Sequence, residues 1–161
     1  MRTAVVYYSM SGNTEYAAKK ISEALGADLI RIEPEKPYPE KGFMKFLRGG
    51  RSAVTGETPK LKPVPFDADL YDRVVLASPV WASNLTPPMR TFVLENRDRL
   101  IKKRVAVLLS FSGGGADKAL EKLKAFSGIS DFEACAVLTD PVKRPSAENE
   151  KRLSEFIDKL K

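Results

Sequence analysis

Short apolar runs rich in β-branched residues alternate along the chain with stretches in which apolar residues recur at helical spacing. The runs favour β-strands, and the helical spacing favours amphipathic helices between them. Strands and helices that alternate in this way are expected to form a parallel sheet covered by helices on both faces. The predicted strands are residues 3–9, 28–33, 73–78, 104–110 and 133–139.

The five predicted strands suit a three-layer α/β fold with a parallel sheet in the strand order 2-1-3-4-5. Gly26 supplies a stop for the first helix, and Thr86 followed by Pro87 supplies a start for the second. A third helix is predicted over about residues 116–126, and the last begins at a Ser146 cap. In this strand order ligands bind beyond the carboxyl ends of the strands, near strands 1 and 3.

The composition limits the classes of function. The chain has 161 residues and is predicted to form one domain, residues 1–161, with a single core. It contains no histidine, which excludes His-based acid–base chemistry and argues against a metal site. The net charge of +6 is spread out and follows no recognition-helix or aromatic-stacking pattern, so we predict no nucleic-acid partner. The single cysteine, Cys135, is expected to be buried as packing in the last strand.

The sequence also predicts a location. No apolar run approaches the roughly 20 residues that cross a bilayer. Met1 and Arg2 lead directly into the first strand, without the layout of a signal peptide. We therefore predict a cytoplasmic protein that does not associate with membranes.

One connection is much longer than a crossover requires. About 33 residues, 34–66, are inserted between the second and third strands. Connections of this length in a compact domain are usually functional or disordered. The insertion contains "GFMKFLRGGRSAV", in which the apolar residues are grouped as in a short helix. It is predicted either to cover the sheet edge or to form a lid or docking surface beside the binding site.

Three polar loops follow the carboxyl ends of strands 1, 3 and 4, which are neighbours in the predicted order. They are "SMSGNT" (9–14), "SPVWASN" (78–84) and "SFSGGG" (110–115). The first enters a helix through one glycine and several hydroxyls, which suits either a helix cap or a site for a phosphate monoester. It is not a P-loop or a dinucleotide fingerprint, because the glycines and the lysine of those motifs are absent. Nor is the chain a phosphoacceptor receiver domain, because strand 3 ends at Ser78 rather than an aspartate.

"SMSGNT" resembles the phosphate loop of the flavodoxin family, and "SPVWASN" resembles the first flavin-flanking loop of that family. The resemblance extends over essentially the whole chain and implies bound FMN. The residues that it places at the 5′-phosphate are Ser9, Ser11, Gly12, Asn13 and Thr14. Those beside the ring system are Ser78, Pro79, Val80, Trp81 and Ala82 on one side, and Ser110, Phe111, Ser112, Gly113, Gly114 and Gly115 on the other. Met10, Ser83 and Asn84, from the same loops, are also assigned to the cofactor site.

Flavodoxins carry electrons, so the resemblance implies a carrier with a redox partner protein. Three departures favour an FMN-dependent NAD(P)H:quinone reductase with a small-molecule acceptor instead. The third loop is glycine-rich where carriers have a tyrosine, Ala82 stands where a residue must adopt positive φ on reduction, and the chain is basic. Candidates for positive charge near the ring are Arg48, Arg51 and Arg90. A flavin-free interaction module is the third alternative, and no side chain is assigned a catalytic role.

Overall fold

The computed structural model describes residues 1–39 and 50–161. Its sheet has five parallel strands in the order β2-β1-β3-β5-β6, and a short sixth strand, β4, pairs antiparallel with β3. The predicted order 2-1-3-4-5 is therefore confirmed, with β4 as an addition. The strands are β1 (Thr3–Tyr7), β2 (Asp28–Arg31), β3 (Arg73–Trp81), β4 (Asn84–Leu85), β5 (Arg104–Phe111) and β6 (Cys135–Thr139).

The described helices form the two outer layers. They are α1 (Asn13–Leu25), α2 (residues 50–55), α3 (Pro87–Glu95), the single turn α4 (Arg97–Leu100), α5 (Ala116–Ser127) and α6 (Ala147–Leu160), with a 3₁₀ turn at Ala68–Leu70. Helices α1 and α6 pack on one face of the sheet, and α3 and α5 pack on the other. None of the helices in the described part of the chain is long and apolar enough to cross a membrane.

The sheet centre explains why the strands could be predicted. Every residue of β1 is buried, as are the first six residues of β3 and the middle six of β5, because helices cover both faces of these strands. Phe92 and Leu123 fill the core on one side, and Ile21 and Phe156 fill it on the other. Because these central strands are parallel, their carboxyl ends meet at one rim of the sheet.

Most of the predicted helix boundaries are confirmed, but the predicted helix cap at Thr86 is wrong. Gly26 adopts the left-handed conformation (φ 59°) that ends α1, and the Ser146 hydroxyl accepts a hydrogen bond from the Asn149 N–H at the start of α6. Thr86 stands at the start of α3, but its hydroxyl lies 3.0 Å from Ser78 Oγ instead of capping the helix.

Cys135 is exposed, so the prediction of a buried packing residue is wrong. The strand β6 lies at the sheet edge, and its residues alternate between two faces. Ala136 and Leu138 point into the core beside α6, whereas Cys135 points to the face that the helices cover less fully at this edge. An apolar run alone does not distinguish an edge strand from a central one.

The two described ends of the insertion pair with each other, and the second of them also contacts α3. Pro34 and Leu61 form an antiparallel bridge, and the Glu35 N–H donates to the Lys60 carbonyl at 2.9 Å. Thr91 in α3 donates its hydroxyl to the Pro59 carbonyl at 2.9 Å. The apolar residues Phe43, Met44, Phe46 and Leu47, on which the prediction of a short helix depended, lie outside the described residues.

Candidate cofactor site

A cavity of about 430 Å³ opens at the carboxyl ends of β1, β3 and β5. The three polar loops predicted from the sequence all contribute to its wall. Of the predicted residues, those that line it are Met10, Ser11 and Asn13 from the first loop, Pro79, Val80, Trp81 and Ala82 from the second, and Ser110, Phe111, Ser112, Gly113 and Gly114 from the third. Gly50 and Lys143 also line it, and neither was predicted.

The other predicted residues do not line the cavity. They are Ser9, Gly12, Thr14, Ser78, Ser83, Asn84 and Gly115. The Ser9 hydroxyl accepts a hydrogen bond from the Gly12 N–H at 3.2 Å, which closes the turn of the first loop. The hydroxyls of Thr14 and Ser110 lie 2.6 Å apart and are buried, so they join the first loop to the third.

The helices α1 and α5 both begin at this cavity, and each begins at a glycine. Gly12 (φ 88°) and Gly115 (φ 86°) adopt left-handed conformations and have no side chain that could cap the helix. The first N–H groups of a helix have no acceptor inside it, and their dipole favours a negative charge. By contrast, α6 begins away from the cavity and is capped by Ser146. The start of α1 thus offers donors suited to an anion such as a phosphate group.

The Asn13 side chain is held by the turn that follows β6. Its amide nitrogen donates to Asp140 Oδ1 at 3.2 Å, and its amide oxygen accepts from the Val142 N–H at 3.0 Å. Ser112 Oγ donates to the same Asp140 oxygen at 2.6 Å. Asp140 therefore joins the first loop to the third, and a role for Asn13 as a phosphate donor stays a prediction.

Trp81 lines the cavity at the end of β3, and two tyrosines fix its orientation. The Tyr8 and Tyr38 rings lie nearly perpendicular to the indole, at interplanar angles of 84° and 85° and centroid distances of 5.8 and 5.3 Å. Such T-shaped pairs are among the favoured arrangements of aromatic rings. Tyr38 belongs to the insertion, so a described part of the insertion supports a residue of the cavity wall.

The whole arrangement matches a known family. The chain matches the flavodoxin family over residues 2–150. It belongs to that family. No protein of curated function matches the sequence.

Several solved flavodoxin-like structures have the same fold. A flavoprotein from Lactobacillus acidophilus NCFM, solved in complex with FMN, has 19% sequence identity, a TM-score of 0.73 and coverage of 94% of this chain and 97% of its own. A candidate flavoprotein from Bacteroides eggerthii DSM 20697 has 21% sequence identity and a TM-score of 0.76, with coverage of 98% of this chain and 96% of its own. Two-electron reduced Megasphaera elsdenii flavodoxin has 19% identity and a TM-score of 0.60, with coverage of 98% of this chain and 99% of its own.

The second loop is a β-hairpin rather than an irregular loop. Trp81 pairs with Asn84, and the two residues between them, Ala82 and Ser83, have φ values of 48° and 58°. Positive φ at both central residues defines a type I′ turn, for which Asn-Gly is the preferred sequence. Ala82 therefore has positive φ, at the position where the sequence suggested that this conformation would be unfavourable.

We expect the substitution Ser83→Gly to raise the free energy of unfolding of the cofactor-free protein by about 0.5–1 kcal/mol. Glycine removes the steric strain of a left-handed residue, about 1–2 kcal/mol, but adds freedom to the unfolded chain. Urea denaturation measures the change. Ser154→Gly in the exposed face of α6 is the matched control and should be destabilising. A loss of stability in Ser83→Gly would contradict the strain argument.

The predicted positive residues are not those at the cavity. Arg90 lies over the Phe126 ring at 4.4 Å and Arg51 is exposed on α2, and neither lines the cavity. Arg48 lies outside the described residues. Within residues 1–39 and 50–161, Lys143 is the one cationic residue in the cavity wall. Lys143 lies in the turn after β6, in the sequence "DPVKRP". The Asp-Pro pair favours a turn there, but nothing in the sequence shows that this turn approaches the cavity.

Proposed function

We propose that this chain binds FMN non-covalently in the cavity and acts as an electron-transfer carrier. FMN is the cofactor of the flavodoxin family, to which the chain belongs. The flavoprotein from Lactobacillus acidophilus, which has the same fold, was solved with FMN. The observation that carries the proposal is the cavity itself, which combines an open helix N-terminus with an aromatic ring in its wall.

The residues present fit FMN. The cavity volume of about 430 Å³ is within the range of cofactor pockets. The backbone N–H groups at the start of α1 and the Ser11 hydroxyl would hold the phosphate. Trp81 and Phe111, which both line the cavity, would border the ring system with apolar surface. Bound FMN supplies the redox chemistry, and the protein orients it and shields it from water.

The substitution Trp81→Leu should weaken FMN binding about tenfold or more. Stacking of an aromatic side chain on a base is worth about 1–3 kcal/mol, and leucine keeps the apolar volume without the aromatic face. Quenching of flavin fluorescence measures the dissociation constant. Trp81→Phe should retain most of the affinity, and Phe132→Leu, which changes an aromatic residue outside the cavity, should not alter it. Equal affinity in Trp81→Leu and the native protein would contradict the role of Trp81.

An FMN-dependent NAD(P)H:quinone reductase is the second candidate, and the third loop favours it. Gly113 and Gly114 line the cavity, and a Cβ added at either residue would meet open space. This part of the wall thus presents no side chain that would cover the flavin ring, which suits a substrate that approaches it. Under this proposal the partner is a small-molecule acceptor with NAD(P)H, and under the carrier proposal it is a redox protein.

An anaerobic absorption titration separates these functions. The FMN-loaded protein is titrated first with NADPH and then with dithionite. We expect dithionite, but not NADPH, to bleach the flavin of a carrier. Rapid bleaching by NADPH would replace the carrier with the reductase. Failure to retain FMN at all would contradict both and favour an interaction module without flavin.

A further inference from the structure

The turn between β6 and α6, residues 140–144, is fixed against the cavity. The Val142 N–H donates to Asn13 Oδ1 at 3.0 Å, which attaches the turn to the first loop. The Asp140 N–H donates to the Phe111 carbonyl at 3.1 Å, and the Arg144 N–H donates to the Asp140 carbonyl at 2.7 Å. These bonds restrain the backbone on both sides of Lys143. They hold Lys143 where it forms part of the cavity wall.

The same turn buries a negative charge beside the proposed phosphate site. Asp140 is 3% exposed and accepts hydrogen bonds from Asn13 and Ser112, two residues of the cavity wall. Its ion pair with Arg144 is long, at 3.5 Å, and the arginine side chain is 69% exposed. A phosphate monoester carries about −1.5 to −2 charges near neutral pH. A further positive charge beside this carboxylate would therefore favour a phosphate held at the first loop.

Lys143 is the residue placed to supply that charge. It lines the cavity together with Ser11 and Asn13, and the first loop contains no lysine or arginine of its own. Lys143 makes no ion pair with any carboxylate in the described ranges, 1–39 and 50–161. Its neighbour Arg144 pairs with Asp140, so the two adjacent cations have different surroundings.

We propose that Lys143 binds the phosphate group of FMN and makes the cavity selective for the phosphorylated flavin. This inference rests on the proposed function, because it assigns a role within the same site. The 140–144 turn is then a fourth element of the flavin site, in addition to the three loops that the sequence predicted. Lys143 supplies a positive charge to the phosphate, while Asp140 joins the first and third loops through Asn13 and Ser112.

The test compares FMN with riboflavin, which lacks only the phosphate. In Lys143→Gln we expect the dissociation constant for FMN to rise about tenfold, because a charge-assisted hydrogen bond is lost, while that for riboflavin stays unchanged. Lys143→Arg should retain most of the FMN affinity. Lys151→Gln removes the same charge from the exposed face of α6, away from the cavity, and should change neither constant. The difference in FMN affinity between the native protein and Lys143→Gln should narrow as the NaCl concentration is raised, because salt screens the attraction between the lysine and the phosphate.

Each outcome decides a different point. If the native protein binds neither flavin, the proposed function fails, and the role of Lys143 fails with it. If FMN binds and Lys143→Gln binds it equally well, the inference is overturned while the proposed function stands. An equal loss for FMN and riboflavin also overturns it, because Lys143 would then act on the ring or ribityl chain. Only a loss confined to FMN supports it, provided that thermal unfolding shows the variant to be folded.

Discussion

Replacing Glu133 with glutamine is expected to lower the free energy of unfolding by about 3–5 kcal/mol. Arg73 is 3% exposed at the amino end of the sheet, and it donates two hydrogen bonds of 2.6 Å to the Glu133 carboxylate. A third hydrogen bond, also 2.6 Å, joins Arg73 to the Leu160 carbonyl at the end of α6. Glutamine would leave the guanidinium buried without a counter-charge. Urea denaturation followed by circular dichroism measures the loss.

The neighbouring strand makes the effect larger. Arg104 lies directly opposite Arg73 in the register of β3 and β5, and it also pairs with Glu133. Like charges in facing positions destabilise a sheet, so Glu133 holds two arginines that would otherwise repel each other.

Two variants test whether burial of the charge is the cause. Arg104→Gln removes a side chain that is 58% exposed and should lower the stability by less than about 1 kcal/mol. The double variant Arg73→Met, Glu133→Leu removes both buried charges and should be more stable than Glu133→Gln alone. A loss below about 1 kcal/mol in Glu133→Gln would show that the carboxylate is not needed.

The pH dependence provides an independent check. Burial raises the pKa of Glu133, but the hydrogen bonds and charges of Arg73 and Arg104 outweigh it, so the pKa lies below its usual value of 4.5. The pair therefore stabilises the fold fully above that pH and loses its effect as the pH falls through the lowered pKa. The difference in the free energy of unfolding between the native protein and Glu133→Gln should shrink as the pH falls through this range. Denaturation experiments at a series of acidic pH values measure it.

The sequence was informative about the fold because its signals are local. The central strands are apolar throughout since both of their faces are covered, and Gly26 and Ser146 mark helix ends by their own backbone and side-chain chemistry. The first loop was recognisable for the same reason, as its glycine, its hydroxyls and the helix that follows lie within a few residues of one another.

Contacts between distant parts of the chain could not be predicted in this way. Asp140 meets Asn13 across 127 positions, and only the assembled sheet brings them together. The hairpin at Ala82 and Ser83 lacks the Asn-Gly signal of its turn type, because tertiary packing rather than local preference holds it. Lys143 was missed for the same reason, since nothing near it in the sequence indicates a cavity.

The contact between the second and third loops leads to the largest expected effect at the site. Gly115 has φ +86°, and a Cβ added there would lie 2.3 Å from Ser83 Oγ and 3.0 Å from Ser83 Cα. Gly115→Ala should therefore destabilise the protein by about 2–5 kcal/mol, from left-handed strain and overpacking together. It should also weaken FMN binding, because either the third loop or the hairpin must move, and both line the cavity. Urea denaturation and flavin fluorescence measure the two effects.

The control variants separate strain from collision. Gly26 also has a positive φ, but a Cβ there would meet nothing within 4 Å, so Gly26→Ala should lose only about 1–2 kcal/mol and bind FMN normally. Adding Ser83→Gly to Gly115→Ala removes the contacts with Ser83 Oγ and Cβ, so the double variant should recover part of both losses. Such non-additivity is the mark of two residues in direct contact. If Gly115→Ala behaves like Gly26→Ala in both measurements, the two loops are not packed against each other as the structure shows, and the cavity wall has room to adjust.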